Sequence, residues 1–299
     1  MHESDIPKTA IITPFGLFEF LVMPFGLRNA SQTLQRHMDK IFRDLPFVFA
    51  YIDDILIFSE TEEDHKRHLR EVFERLAHHK LNISIGKCTF AVPEIDFLGF
   101  RITSEGLLPM PQKVTALTEF EMPSDYAGLR RFLGMVNFYR RFVPHFSDIT
   151  EPLYCLLGAT GQRNHPLSWS DDAIAAFHGI KEALSHVTLL HHTSPSNAYH
   201  LVTDASAVAI GAALHQVTDT GNQPIAFFSK RLTATQRSYS AFDRELLAAY
   251  MSVLHFKHQI EGRNVHLFTD HKPLVSAFYS QKPAKSDRQQ RQLAIISEY

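Results

Sequence analysis

Cysteine is scarce: Cys88 and Cys155 are the whole complement among 299 residues. Two thiols make no disulfide framework, and a reducing, intracellular setting, in a cytoplasmic particle or the nucleus, is the expectation. No run of about eighteen apolar residues occurs, so no membrane span is expected. The opening MHESDIPKTAIITP places acids early and has no apolar h-region, unlike a secretory signal. Excess charge of either sign is also missing. Thirty Lys and Arg against 32 Asp and Glu give a formal net charge of −2, which argues against a strongly basic nucleic-acid binder and says nothing of local patches. The 18 histidines are scattered, without HExxH or a regular Cys/His spacing, so zinc is weakly supported. Length suits about two domains.

What is present is acid in unexpected places. FVFAYIDDILIFS, from Phe47 to Ser59, sets Asp53 and Asp54 between apolar, aromatic and β-branched flanks. A buried carboxylate is costly unless paired or metal-bound. Two strand-like runs around an acidic bend predict a β-hairpin with both acids at or near its turn. Turn chemistry and metal binding explain the bare pattern about equally. Upstream, Leu34, Met38, Ile41, Phe42 and Leu45 recur at helical spacing, and downstream Leu69, Val72, Phe73 and Leu76 do the same behind a Thr61 cap. LNISIGKCTFAVPEIDFLGFRIT returns to strand propensity in short pieces. The order strand, helix, hairpin, helix, hairpin predicts an α+β layer with helices behind an antiparallel sheet.

The middle reads as helical. In AGLRRFLGMVNFYRRF, Leu129, Phe132, Leu133, Val136 and Tyr139 form the buried side, and Arg130, Arg131, Arg140 and Arg141 fall at intervals that can share a helix surface. A solvated charged face and contact with nucleic-acid phosphates are the two readings. GATGQRNHPLSWS marks a boundary, with Trp169 anchoring the next unit, and SDDAIAAFHGIKEALSH is a capped helix turning Ala173, Phe177, Ile180 and Leu184 inward.

The second half has acids on separate elements. Asp204 lies near the end of a strand in VTDAS, Glu245 within a long helix, and Asp270 at the end of another strand in FTDHK. Each alone is explained as a turn-prone acid. Together they suit a two-metal nuclease, because carboxylates converge where strand ends meet a helix face.

Five blocks in order then match one family. YIDD resembles the catalytic hairpin of reverse transcriptases. KTAIITPFGLFEFLVMPFGLRNA, LNISIGKCTF, FLGFRITSEGL and LRRFLGMVNFYRRFVPHFSDITEPL resemble the segments around it in Ty3/gypsy-like long-terminal-repeat retrotransposons. TDASAVAIGAAL, IAFFSKRLTATQRSYSAFDRELLA and LFTDHKPL resemble the ribonuclease H domain that comes after it there. The resemblance implies an α+β fold: a right-hand polymerase palm with partial fingers (1–105), a thumb or connection-like helical linker (106–167) and an α/β ribonuclease H-like domain (168–299). It implies RNA-directed DNA polymerase activity with RNA–DNA hybrid ribonuclease activity, both by two-metal phosphoryl transfer. The cofactor would be Mg²⁺, with Mn²⁺ as substitute, and the partners RNA template, DNA primer, RNA–DNA hybrid and deoxynucleoside triphosphates.

Residue by residue, the resemblance makes Asp53, Asp54, Asp204, Glu245 and Asp270 metal ligands. Tyr51 falls beside the primer terminus, Phe25 and Gly26 in the template and nucleotide region, Lys87 at the triphosphate, and Phe97, Leu98, Gly99 and Phe100 on the primer grip. The bland reading of Lys87 is a solvated strand-end lysine. Two family acids, one upstream of DIPKTA and one after the final helix, have no counterpart here, and His271 is not assignable to the family's product-release histidine. The expectation is therefore a fragment clipped at both ends with impaired activity; the alternative is a catalytically inactive nucleic-acid-binding or scaffold remnant.

Overall fold

The computed structural model describes residues 1–158, 167–194, 196–279 and 286–299, which cluster into two compact units, Met1–Val92 and Pro93–Tyr299. In the first, a 3₁₀ segment precedes a small hairpin of β1 (Ile11–Thr13) and β2 (Gly16–Phe18). Helix α1 (Ala30–Phe42) comes next, then the β3 (Val48–Tyr51) and β4 (Asp54–Ile57) hairpin, then α2 (Glu62–His78). The Thr61 side chain accepts the Asp64 amide at 3.1 Å and caps α2, and Glu62, Glu63 and Asp64 oppose the dipole of its first turn. Met38, Ile41, Phe42, Leu45, Val72 and Leu76 make the core with one face of the β3–β4 hairpin.

Three expectations need correction here. Phe73 is 38% exposed rather than part of the buried stripe; its ring meets the edge of Phe90 at 6.3 Å. The two hairpins are separate two-stranded sheets, not one layer backed by helices. Residues 82–92 form only a 3₁₀ turn at Ile85–Lys87 despite their strand propensity.

The second unit opens with a meander of β5 (Ile95–Phe97), β6 (Phe100–Ile102) and β7 (Gly106–Pro109). Helices α3 (Pro111–Thr118), α4 (Tyr126–Phe138), α5 (Phe146–Gly158) and α6 (Asp171–Ser185) come after it. Strand β8 (Leu190–His191) then closes the sheet beside β7. Only glycine fits at the join: a Cβ on Gly106 would lie 2.1 Å from the Leu190 carbonyl oxygen. Leu129, Phe132, Val136, Phe142, Leu153, Phe177, Ile180, Leu184 and Leu190 share one core. Every inward residue expected on α4 and α6 is buried, and Trp169 donates its indole N–H to the Pro123 carbonyl at 2.9 Å. Helix α6 and strand β8 pack with the preceding helices and sheet. Most of the expected boundary segment, 159–166, lies outside the described residues.

The remaining chain builds a four-stranded sheet in the order β11 (Gly221–Arg231), β10 (Ala209–Thr218), β9 (Tyr199–Ala205), β12 (Val265–Phe268). Only β12 pairs in parallel, with β9. Between β11 and β12 run a short α7 (Ala234–Arg237) and the 20-residue α8 (Ala241–Ile260). The α8 side chains Leu246, Ala249, Val253 and Phe256 pack with Tyr199, Leu201 and Leu214 of the sheet. Helices α9 (Lys272–Tyr279) and α10 (Asp287–Ile296) complete the unit. Asp243 accepts from Arg288 at 2.6 Å and Gln289 at 2.9 Å and ties α10 to α8. Of the basic QKPAKSDRQQRQ stretch, 281–285 lie outside the described residues and the rest is largely α10.

Candidate metal centre and nucleic-acid-facing residues

Asp204 is the penultimate residue of β9, and Asp270 lies two residues beyond β12. Parallel pairing of these strands, with Phe268 beside Val202, delivers both acids to one edge of the sheet. Glu245, in the first turns of α8, meets them there. One carboxylate oxygen from each lies within 4.8 Å of the others, the sole such group of three acids, histidines or cysteines among the described residues. Asp204 and Asp270 are exposed, whereas Glu245 is 7% exposed.

That burial, then repulsion from Asp204 and Asp270, pushes the Glu245 carboxyl from an ordinary 4.5 up to about 7, against an opposing hydrogen bond from the Ala205 amide. Its Oε2 is buried without a hydrogen-bond partner. An orphaned oxygen among converging carboxylates is a donor set for a hard divalent cation. The residues fit such an ion: it would relieve the repulsion and engage the orphaned atom. Beside the trio, Arg244 donates to the Ser206 carbonyl at 2.9 Å. The His271 ring edges onto Phe242 at 5.9 Å, with Nδ1 buried and unpaired.

The second acidic pair is built differently. Tyr51 and Asp54 face each other across β3–β4, with Ile52 and Asp53 as the two-residue turn. Ile52 adopts φ 54°, an uncommon conformation for a β-branched residue. Gln35 of α1 holds it: its Oε1 accepts the Ile52 amide at 2.7 Å and its Nε2 donates to the Ala50 carbonyl at 3.0 Å. Asp53 and Asp54 are both exposed at the tip. Gln35 was not singled out by sequence reasoning, since nothing in a helical glutamine signals a partner 17 residues on.

Among the other expected contacts, Tyr51 is half-exposed, Phe25 fully exposed, and Gly26 sits at φ 88°. Lys87 is exposed at the end of a 3₁₀ turn rather than a strand. Phe97 and Phe100 pair across a tight turn in which Leu98 and Gly99 take φ 49° and 86°. The Phe138 ring stacks on Phe100 with centroids 5.1 Å apart. All four arginines are exposed, but they do not share one helix surface. Helix α4 ends at Phe138; Arg130 and Arg131 are on it, while Arg140 and Arg141 lie on the following 3₁₀ turn, Arg140–Phe142.

Comparison with known proteins aligns with this layout. Residues 1–102 match the family described as reverse transcriptase (RNA-dependent DNA polymerase), and 169–267 match the RNase H-like domain found in reverse transcriptase. The retrovirus-related Pol polyprotein from transposon opus of Drosophila melanogaster is 35% identical over 93% of this chain and 29% of its own length. That from transposon 297 of the same fly is 37% identical over 92% and 25%. The transposon Tf2-3 polyprotein of Schizosaccharomyces pombe is 31% identical over 100% and 22%. The chain thus spans between a fifth and a third of these relatives. Among solved structures, the foamy viral protease–reverse transcriptase dRH in complex with double-stranded DNA superposes with a TM-score of 0.83 at 21% identity, covering 100% of this chain and 52% of that one. The same viral protein with an RNA/DNA hybrid gives 0.79 at 22% identity, covering 100% and 40%. At that identity the likeness concerns the fold.

Proposed function

Because this chain belongs to the reverse transcriptase family, with an RNase H-like domain and kinship to Ty3/gypsy-type Pol polyproteins, we propose that it contributes RNA-directed DNA synthesis and cleavage of RNA in RNA–DNA hybrids within a longer Pol polyprotein. The observation that carries the nuclease half is the convergence of Asp204, Glu245 and Asp270 within 4.8 Å. Enzymes of these families use divalent metal ions, and Mg²⁺ is the ion proposed here, with Mn²⁺ as substitute. When bound, the metal polarises the scissile phosphate and lowers the pKa of attacking water. The protein's own part is placement. Asp204 and Asp270 present exposed oxygens, and the buried Glu245 offers an oxygen that no protein donor has claimed.

For synthesis, Asp53 and Asp54 would hold metal at the hairpin tip while Tyr51 lies beside the primer end. Phe25 and Gly26 would face template and incoming nucleotide, Lys87 the triphosphate, and Phe97 to Phe100 the primer. The proposed substrates are primed RNA template, deoxynucleoside triphosphates and hybrid; foamy viral structures of the same fold hold double-stranded DNA or RNA/DNA hybrid. Arg130, Arg131, Arg140 and Arg141 are proposed phosphate contacts. The location proposed is intracellular, in a cytoplasmic particle or the nucleus.

A second reading has one observation in its favour. Among the described residues, Asp53 and Asp54 gather no third carboxylate of the kind found around Glu245. In that reading the 299 residues bind nucleic acid but extend primers poorly. Labelled-primer extension on RNA and labelled-RNA cleavage in a hybrid, both with Mg²⁺, separate the two. Cleavage abolished by Asp204→Asn supports the nuclease proposal, and extension abolished by Asp53→Asn supports the polymerase proposal. Hybrid binding by gel shift with neither activity supports the second reading.

A further inference from the structure

We propose that Asp148, on the helix preceding the RNase H-like segment, is a positioning residue for the metal-binding trio, acting through Ser206 on Asp204. The inference rests on the nuclease reading above.

Ser206 comes two residues after Asp204, in the short turn from β9 to β10. Its hydroxyl donates to Asp148 Oδ1 at 2.5 Å. The Ser206 Oγ in turn accepts the amides of Val208 at 3.1 Å and Ala209 at 2.9 Å. The Ser206 amide donates to the Ala209 carbonyl at 2.9 Å, and its carbonyl accepts Arg244 at 2.9 Å. Between Ser206 and Asp204, the Ala205 amide donates to the Glu245 carboxylate. Every polar group of Ser206 is thus engaged, and the turn is held by α8 on one side and α5 on the other.

The α5 hold is a hydroxyl-to-carboxylate bond, a short and strong type. Helix α5 is itself fixed against β11. The Ser147 amide donates to Ser229 Oγ at 2.9 Å, and Glu151, 7% exposed, accepts from both Arg231 and Arg237. Asp148 therefore stands on a helix anchored to β11 and α7 at positions on either side of it. A ligand displaced by a fraction of an ångström loses the benefit of preorganisation. Asp148 lies upstream of the matched nuclease segment, which begins at residue 169, so a nuclease excised at that point would lack its own brace.

The test uses the whole 299-residue chain, Mn²⁺ titration followed by the EPR signal of the free ion, and amide hydrogen exchange without metal. Asp148→Ala should weaken Mn²⁺ binding about tenfold, as loss of an outer-shell partner does, and speed exchange at Val208 and Ala209. Asp148→Asn keeps an acceptor for the Ser206 hydroxyl and should restore both to near wild type. Should Asp148→Ala not fold, Ser206→Ala removes the same bond from its other end, together with the two amide bonds to Oγ, and should weaken Mn²⁺ binding at least as much. Wild-type Mn²⁺ affinity in Asp148→Ala overturns the inference while leaving the nuclease reading intact. If the wild-type chain shows no Mn²⁺ binding that depends on Asp204, the nuclease reading falls. Exchange then decides the brace alone: faster exchange in Asp148→Ala and not in Asp148→Asn upholds it, and unchanged exchange overturns it.

Discussion

The Tyr139 hydroxyl donates to the Gly99 carbonyl at 3.2 Å, tying the end of α4 to the tip of the β5–β6 hairpin across 40 residues of sequence. The hairpin proposed to grip the primer is therefore fastened to a buried helix. Tyr139→Phe removes one hydrogen bond, worth about 1 kcal/mol, and should lower the denaturation midpoint slightly. Gly99→Ala should cost more. Its Cβ would lie 3.0 Å from the Phe138 ring, at a backbone φ of 86° that favours glycine. Urea melts of the two variants in that order of severity are expected; equal midpoints would contradict the account.

The raised Glu245 carboxyl makes the metal-free protein sensitive to pH. Between the ordinary value of 4.5 and about 7, the folded protein keeps a proton that the unfolded chain has released. Stability therefore falls as pH rises through that window and levels off above it. The difference corresponds to a penalty on the order of 3 kcal/mol at pH 8. Glu245→Gln should flatten the profile, and saturating Mn²⁺ should raise the melting temperature most at the alkaline end. Thermal melts in chelator from pH 5 to 8, whose melting temperature does not fall with pH, would refute this.

Gln35 serves the Asp53–Asp54 hairpin as both donor and acceptor. Gln35→Ala leaves the Ile52 amide without its partner and frees a backbone conformation that a β-branched residue adopts reluctantly. Amide exchange at Ile52 should accelerate while the α1 core amides stay protected. In a longer polyprotein that extends primers, synthesis should drop with little change in the apparent KM for template. Unchanged exchange at Ile52 would show that Gln35 does not hold the turn.

Gly106→Ala should be among the more damaging small substitutions. The added carbon meets the Leu190 backbone carbonyl, which no side-chain rotation can clear. A loss on the order of 1–3 kcal/mol is expected, together with faster exchange at β8, where the strands would part. Gly134 of α4, with nothing within 4 Å of its Cβ position, is the control: Gly134→Ala should leave stability unchanged or raised.

Local periodicity made α4 and α6 legible, because a repeating apolar stripe at helical spacing reports one buried face whatever the partner is. The strand-end acids Asp204 and Asp270 were not legible one at a time, since each passes for a turn-prone acid; their shared placement at strand ends with a helical acid between them, and the family resemblance, singled them out. The run of Arg130 to Arg141 misled because its spacing continues past the helix. Pro144 biases Val143 to extended backbone (φ −115°, ψ 112°), and the chain tightens into a 3₁₀ turn before it. Phe73 fitted the α2 stripe by spacing alone, yet its ring lies against Phe90 at the surface. Gln35, Asp148 and Ser206 were silent because their partners are set by tertiary approach, which leaves no period in the sequence.

The pairing of β8 with β7 has a consequence for biosynthesis. Leu107 finds its strand partner in Leu190, roughly eighty residues later. While the chain leaves the ribosome, β7 must wait with one edge unpaired until all of α3 to α6 has been made. Closing so long a loop is slow relative to forming the local helices. The nascent chain thus passes through a period in which an open β-edge and the helices' apolar faces are exposed together, the stage at which chaperone capture or self-association is most favoured.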